Sequence, residues 1–211
     1  MVYQCYKGKK HNIISIGEKA MSLKPVLTLW NEETINEVDA RILRAACADI
    51  PVPIDNNGIR DVDTLMKAFL LREDALGLAA PQIGIGKKII VFRNKGFDNK
   101  SAWTKNEENY DVLINPRITQ ARGELVYMAE GCLSCPEIQV EVGRFSEIKV
   151  RAVDMKGRKI NARYTDFLAR VVQHEIDHLN GKLIVDYEGA ISYPKKRSVF
   201  FNKLFQGDVP Y

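Results

Sequence analysis

Long apolar runs are missing from this chain of 211 residues, and histidine is scarce, with three in all. No stretch approaches the roughly 20 consecutive apolar residues that a membrane-spanning helix needs. The first twenty residues also lack the continuous apolar core of a secretory signal. Cysteine is sparse as well: Cys5, Cys47, Cys132 and Cys135 are the whole set. A chain of this length can bury a sizeable core without disulfides, so reduced thiols in a cytosol-like compartment are expected. An excess of one charge is lacking too. Lys and Arg number 31 against 27 Asp and Glu, a net +4, which singles out no polyanionic partner. No internal repeat is present.

Against that scarcity, two of the three histidines stand together in His174-Glu175-Ile176-Asp177-His178. Phe167, Leu168, Val171, Val172 and Leu179 recur at helical spacing around them, with Thr165 or Asp166 as N-cap and Gly181 as stop. His174 and His178 continue the stripe of Phe167 and Val171 and point inward. Positions i and i+4 share a helix face, so both rings can reach one metal ion. Glu175, about 100° round the helix, can face a water on that ion. Two core histidines bonded to backbone carbonyls are the plainer alternative. The glutamate between them favours the metallohydrolase pattern.

The remaining ligand decides the reaction class. The position of a third histidine in the extended zinc-protease pattern holds Ile184, and His11 lies in a polar, lysine-rich start. Glu188 is a downstream carboxylate, and using it would make a zinc-dependent endopeptidase of the HExxH type. The alternative lies in Glu130-Gly131-Cys132-Leu133-Ser134-Cys135-Pro136. If both thiols bind, the site is a closed structural zinc centre, with no use for a base. If Cys132 alone binds, a Cys-His-His centre keeps a position for water, and Glu175 has a task. Cys47, in Arg44-Ala45-Ala46-Cys47, reads as a small buried residue.

Three ordered blocks carry a resemblance: Gly77-Leu78-Ala79-Ala80-Pro81-Gln82, Glu130-Gly131-Cys132-Leu133-Ser134 and Gln173-His174-Glu175-Ile176-Asp177-His178. In this order they resemble the peptide deformylases, which remove the formyl group from the N-terminal formyl-methionine of new polypeptides and release formate. The looser likeness runs from about Pro25 to Tyr187. The resemblance implies Cys132, His174 and His178 as ligands of one divalent ion, Fe²⁺ by family habit, with Ni²⁺, Co²⁺ or Zn²⁺ able to replace it. It implies Glu175 as the proton-transfer group, with the Gln82 side-chain amide and the Leu133 backbone N–H as oxyanion donors. Leu76, Gly77, Met128, Gly131, Phe167 and Val171 would bind the substrate, and backbone groups of Leu76 and Gly131 would hold the peptide like an added strand. Glu130 and Arg144 would pair behind the cysteine loop. A monomeric cytoplasmic enzyme is implied, bacterial or else organellar, with the nascent formylated polypeptide as partner and no membrane. Two positions depart from the family pattern. Ala75 stands where a glycine usually opens the first block, calling either for a small side chain or for a positive φ. Gln139 stands where an arginine is usual.

Independently of that likeness, Val62, Leu65, Met66, Phe69 and Leu70 read as an amphipathic helix capped by Asp61. Ile89 to Phe92 and Val112 to Ile114 read as strands, the second ending at Asn115-Pro116. Ile148 to Asp154, the turn Lys156-Gly157 and a return through Ile160 and Tyr164 read as a hairpin. The expected fold is therefore α+β, mostly antiparallel sheets packed around a C-terminal metal-binding helix. Residues 1–20 form a basic N-terminal extension, residues 21–190 the catalytic domain and residues 191–211 a basic, aromatic tail. Lys95 to Asn109 reads as a solvent loop. In the tail, Lys195 to Phe205 interleaves lysines with phenylalanines. It reads as a capping segment with its phenylalanines packed on the domain, while the family likeness offers a ribosome contact instead.

Overall fold

The computed structural model describes residues 24–72, 74–95 and 109–205. The extension at 1–20, with Cys5 and His11, and most of the expected loop at 95–109 lie outside the described residues. No helix among the described residues is long and apolar enough to cross a membrane.

A two-stranded hairpin, β1 (Trp30–Asn31) and β2 (Thr34–Ile35), leads into helix α1 (Glu37–Leu43). Helix α2 (Asn56–Leu70) follows. It starts earlier than Asp61, the cap expected from the apolar spacing. Asp55 is the cap, and its carboxylate accepts the Gly58 N–H at 2.7 Å. The polar first turn Asn56-Asn57-Gly58 conceals this start, because capping is local hydrogen bonding and leaves no apolar period.

Strands β3 (Gly77–Ala79), β4 (Ile89–Arg93), β5 (Tyr110–Cys132), β6 (Cys135–Val153) and β7 (Lys159–Thr165) form one antiparallel sheet in chain order. The last two connections are short, as antiparallel neighbours allow. Leu133 and Ser134 alone join β5 to β6. Between β6 and β7 the Asp154 carboxylate accepts the N–H of Lys156 at 2.8 Å and of Arg158 at 2.9 Å.

The expectation that a strand ends at Asn115-Pro116 is corrected: β5 runs through it. Asn115 takes φ +51°, a conformation Asn tolerates better than most residues, and the register shifts between Ile114 and Arg117. Its side-chain amide bonds the Ile50 backbone in both directions at 2.8 Å. The Asn-Pro pair is a bulge, which bends a strand without stopping it.

Helix α3 (Asp166–Leu179) lies across this sheet. Its stripe of Ala169, Val172, Ile176 and Leu179 packs against Ile90, Phe92, Ile148, Val150 and Tyr164 in one buried cluster. Each large apolar side chain so buried contributes about 1.5–3 kcal/mol. Thr165 is the N-cap residue and the helix stops at Asn180, followed by Gly181 at φ +73°. A Cβ on Gly181 would stand 2.6 Å from the Arg44 carbonyl carbon, so glycine is required for both backbone shape and space.

Strand β8 (Ile191–Ser192) pairs with β6 at Gln139 and Val140, and helix α4 (Ser198–Phe205) closes the described chain. Phe201 and Leu204 are fully buried beside Leu29 and Trp30, and the Trp30 and Phe201 rings meet edge to face at 5.5 Å. Lys195, Lys196 and Lys203 are exposed. The α+β expectation of helices with antiparallel sheets therefore holds.

Candidate metal centre

The hairpin turn between β5 and β6 delivers Cys132 to the face of α3 that carries His174 and His178. One ligand atom from each of the three lies within 4.8 Å of the other two. Cys132 Sγ is 3.3 Å from His178 Nε2, and the imidazole centroids are 5.1 Å apart. Cys135 and Glu188 do not join this group. Cys135 is buried and Glu188 is exposed. The closed four-ligand reading and the Glu188 reading are both corrected, because only Cys132 brings its ligand atom within reach of both imidazoles.

Charge in this cluster favours a cation at its centre. A hydrogen bond from Cys135 does most to hold the Cys132 thiol well below its usual range; His178 and His174 add to it and burial opposes it. Burial disfavours charge on His174, yet its bonds to Cys132 and Glu130 raise its pKa well above the usual imidazole value. A cysteine sulfur held toward its thiolate form beside two imidazole nitrogens is the donor set of a soft or borderline divalent ion. The residues present therefore fit a metal.

Behind His174 stands a buried ionic network. His174 Nδ1 is 3.0 Å from Glu130 Oε2. Arg144 donates to both oxygens of Glu130, Nε at 3.0 Å and Nη2 at 2.9 Å. It also donates to Asp177 and, at 2.7 Å, to the Tyr187 hydroxyl. Burial alone would raise the Glu130 pKa, but the bonds from His174 and Arg144 outweigh it and hold the carboxyl down to about 2. The expected pairing of Glu130 with Arg144 is present in the geometry.

Arg170 was not legible as part of this network. Its Nη1 reaches Glu130 Oε1 at 2.6 Å and the Val142 carbonyl at 2.9 Å, and its Nη2 donates to the Val126 carbonyl. The available signal was an arginine one helical turn before His174 on the buried face, since a buried cation needs a carboxylate.

Glu175 is buried beside this cluster, and its Oε2 has no hydrogen-bond partner among the described residues. Burial pushes its carboxyl up to about 7, against the opposing pull of His174 and His178. Gln82 sits in the single turn Ala80–Ile83 that follows β3. Its Oε1 accepts the Ala79 N–H at 2.8 Å, which turns Nε2 toward Ser134 Oγ at 3.3 Å and Cys132 Sγ at 3.8 Å. Leu133 occupies the turn itself, half-buried.

Of the expected substrate residues, Leu76, Phe167 and Val171 come together in the cluster under α3. Met128 does not belong to that cluster; it lies on β5 opposite Val142, 40 % exposed. Gly131 is exposed. The Leu76 carbonyl accepts the Arg93 N–H at 2.8 Å, so it is already used within the sheet. By strand alternation, Gly77 turns its own N–H and C=O to the far edge of β3, the last strand on that side among the described residues. Ala75 is buried and is not among the described residues with positive φ, so its position asks only for a small side chain.

A profile of the polypeptide deformylase family matches residues 32–195. The chain belongs to the peptide deformylase family. Enzymes of this family are metal-dependent and remove the formyl group from newly made polypeptides. Peptide deformylase 2 of Rickettsia conorii is 36 % identical over 173 residues, covering 81 % of this chain and 85 % of that relative. The Rickettsia canadensis enzyme is 35 % identical over 185 residues, covering 87 % and 95 %. Among solved structures, the Met-Ala-Ser-bound class I type b deformylase of Acinetobacter baumannii is similar, with a TM-score of 0.64 and 30 % identity over 79 % of this chain and 99 % of that one. A probable deformylase of Synechococcus phage S-SSM7 gives 0.62 and 34 %, over 79 % and 99 %. These likenesses give no support to an endopeptidase.

Proposed function

We propose that Cys132, His174 and His178 hold a single Fe²⁺ ion, and that Glu175 moves the proton in hydrolysis of the formyl group of formyl-methionyl polypeptides. The observation that carries this reading is the convergence of one cysteine and two histidines beside a buried carboxylate with an unpartnered oxygen. A divalent ion in that set supplies Lewis acidity and lowers the pKa of water from 15.7 to about 7.

The chain's own groups do the rest. Glu175 accepts a proton from the attacking water at Oε2 and returns it to the departing amine; a carboxyl near neutrality suits both directions of transfer. The oxygen that gains charge is met by the Gln82 Nε2 amide, fixed by the Ala79 bond, and by the Leu133 N–H. Leu76, Phe167 and Val171 form the apolar slot for the methionine side chain, with Met128 at its exposed rim. The peptide backbone adds as a strand along β3 through Gly77, with Gly131 opposite. A Met-Ala-Ser tripeptide is seen bound in the Acinetobacter baumannii relative, and the corresponding substrate here is formyl-Met-Ala-Ser.

Hydrolysis of formyl-Met-Ala-Ser, measured together with metal content on wild type and Cys132→Ala, tests the reading. The wild type should release formate and carry one metal per chain. Cys132→Ala should lose both. A variant that keeps its metal would overturn Cys132 as ligand.

A further inference from the structure

Cys135 is not among the metal-binding group, yet it sits directly across the hairpin from Cys132. Cys132 ends β5, Cys135 begins β6, and the two are Cα partners across the turn Leu133-Ser134. Directly opposed antiparallel residues stand about 4.5–5.5 Å apart at Cα, inside the roughly 4.4–6.8 Å that a disulfide needs. Their side chains share one face of the sheet. Access to the two sulfurs is unequal. Cys132 is half-buried and faces the site, whereas Cys135 is fully enclosed in the cluster of Leu29, Trp30 and Phe201. Cys47 packs in a different cluster, under α3, and does not compete.

We propose that Cys132 and Cys135 are a reversible oxidation site, closed to a disulfide by hydrogen peroxide and reopened by a dithiol. This rests on Cys132 as metal ligand and names a regulation of that same site. The Cys132 sulfur attacks one peroxide oxygen; an S–O bond forms, the O–O bond breaks, and hydroxide leaves. Cys135 gives its proton to that hydroxide, forming water, and its sulfur attacks the Cys132 sulfur. The S–S bond forms, the S–O bond breaks, and the oxygen leaves as a second water after taking the Cys132 proton from solvent. Two electrons pass from the two sulfurs to one peroxide. The oxidised Cys132 is no longer a thiolate ligand, so the ion is released. Without a neighbour to capture it, a sulfenic acid goes on to irreversible sulfinic acid. The buried thiol behind Cys132 stops the oxidation at a step that thiol exchange can reverse.

The test uses the full-length, metal-bearing protein treated with hydrogen peroxide and followed by intact mass, metal release and peptide mapping. Wild type should become about 2 Da lighter, as a disulfide requires, with two of its four thiols lost. The bond should map to Cys132 and Cys135, the metal should be released, and dithiothreitol with fresh metal should restore turnover. Cys135→Val should keep its metal before treatment. After it, Cys132 should be about 32 Da heavier as sulfinic acid, with no recovery in dithiothreitol. A wild type that accumulates the heavier Cys132 with no bond to Cys135 overturns the proposal. So does a bond from Cys132 to another cysteine, or a Cys135→Val protein that recovers as fully as wild type. If the valine variant does not fold, the wild-type map decides alone. Metal content before treatment separates the two readings, because the disulfide can be mapped in a protein that binds no ion.

Discussion

Gly77 lies so close to Glu175 that a Cβ at residue 77 would stand 2.7 Å from the Glu175 carboxyl carbon. The edge strand and the Glu175 carboxylate therefore fit only without a side chain between them. Gly77→Ala should push the carboxylate aside while the sheet holds, because the obstructing atoms belong to the end of a flexible side chain. Turnover should fall by about 10²-fold, the scale of a misplacement near 1 Å. Metal content and melting temperature should stay close to wild type; normal turnover would refute the contact.

Glu175→Gln keeps the shape and removes the carboxylate proposed to move the proton. The variant should bind its metal and lose about 10²–10⁴-fold in turnover. Metal analysis beside a formate-release assay checks both parts.

Glu130 ties stability to pH. Its carboxyl is held down to about 2 in the fold, below its ordinary 4.5. A lowered folded-state pKa means stability that is complete above 4.5 and is lost as pH falls toward 2. Wild type should therefore lose more melting temperature over that window than Glu130→Gln, which has no proton to gain at this position. Calorimetry at stepped pH reads the difference.

Arg144 anchors the same carboxylate, and Arg144→Met should weaken metal affinity by about 10–100-fold, the usual cost of losing support behind a ligand. Competition with a chromophoric chelator measures it. Unchanged affinity would mean that Arg170 alone suffices to hold Glu130.

Phe201, at 0 % exposure against Trp30, makes the C-terminal helix part of the core. Phe201→Ala should cost about 3–5 kcal/mol in urea unfolding, with turnover of the remaining folded protein intact.

A thiolate on ferrous iron is prone to oxidation. The iron-loaded protein should lose activity in air, and the nickel-loaded protein should keep it. Equal lifetimes would count against iron as the native ion.

The helix of His174 and His178, its stop at Gly181 and the β6–β7 hairpin were legible in the chain itself. Their signals are local: apolar periods, a terminating glycine and the Lys156-Gly157 turn signal, all set by backbone geometry over a few neighbours. The metal-ligand alternatives were not settled there, since Cys132, Cys135 and Glu188 all satisfied the chemistry of a third donor. The packing of the β5–β6 turn on α3 decided among them, with the Cys132 sulfur beside the imidazoles and Cys135 enclosed in the core. Arg170 and the Arg144–Asp177 pair escaped notice for a related reason. A buried ion pair is formed between segments far apart in sequence, and its partners carry no mark until the sheet and α3 bring them together. The run of β5 through Asn115-Pro116 likewise depended on Ile50, whose backbone holds the bulge from 65 residues away.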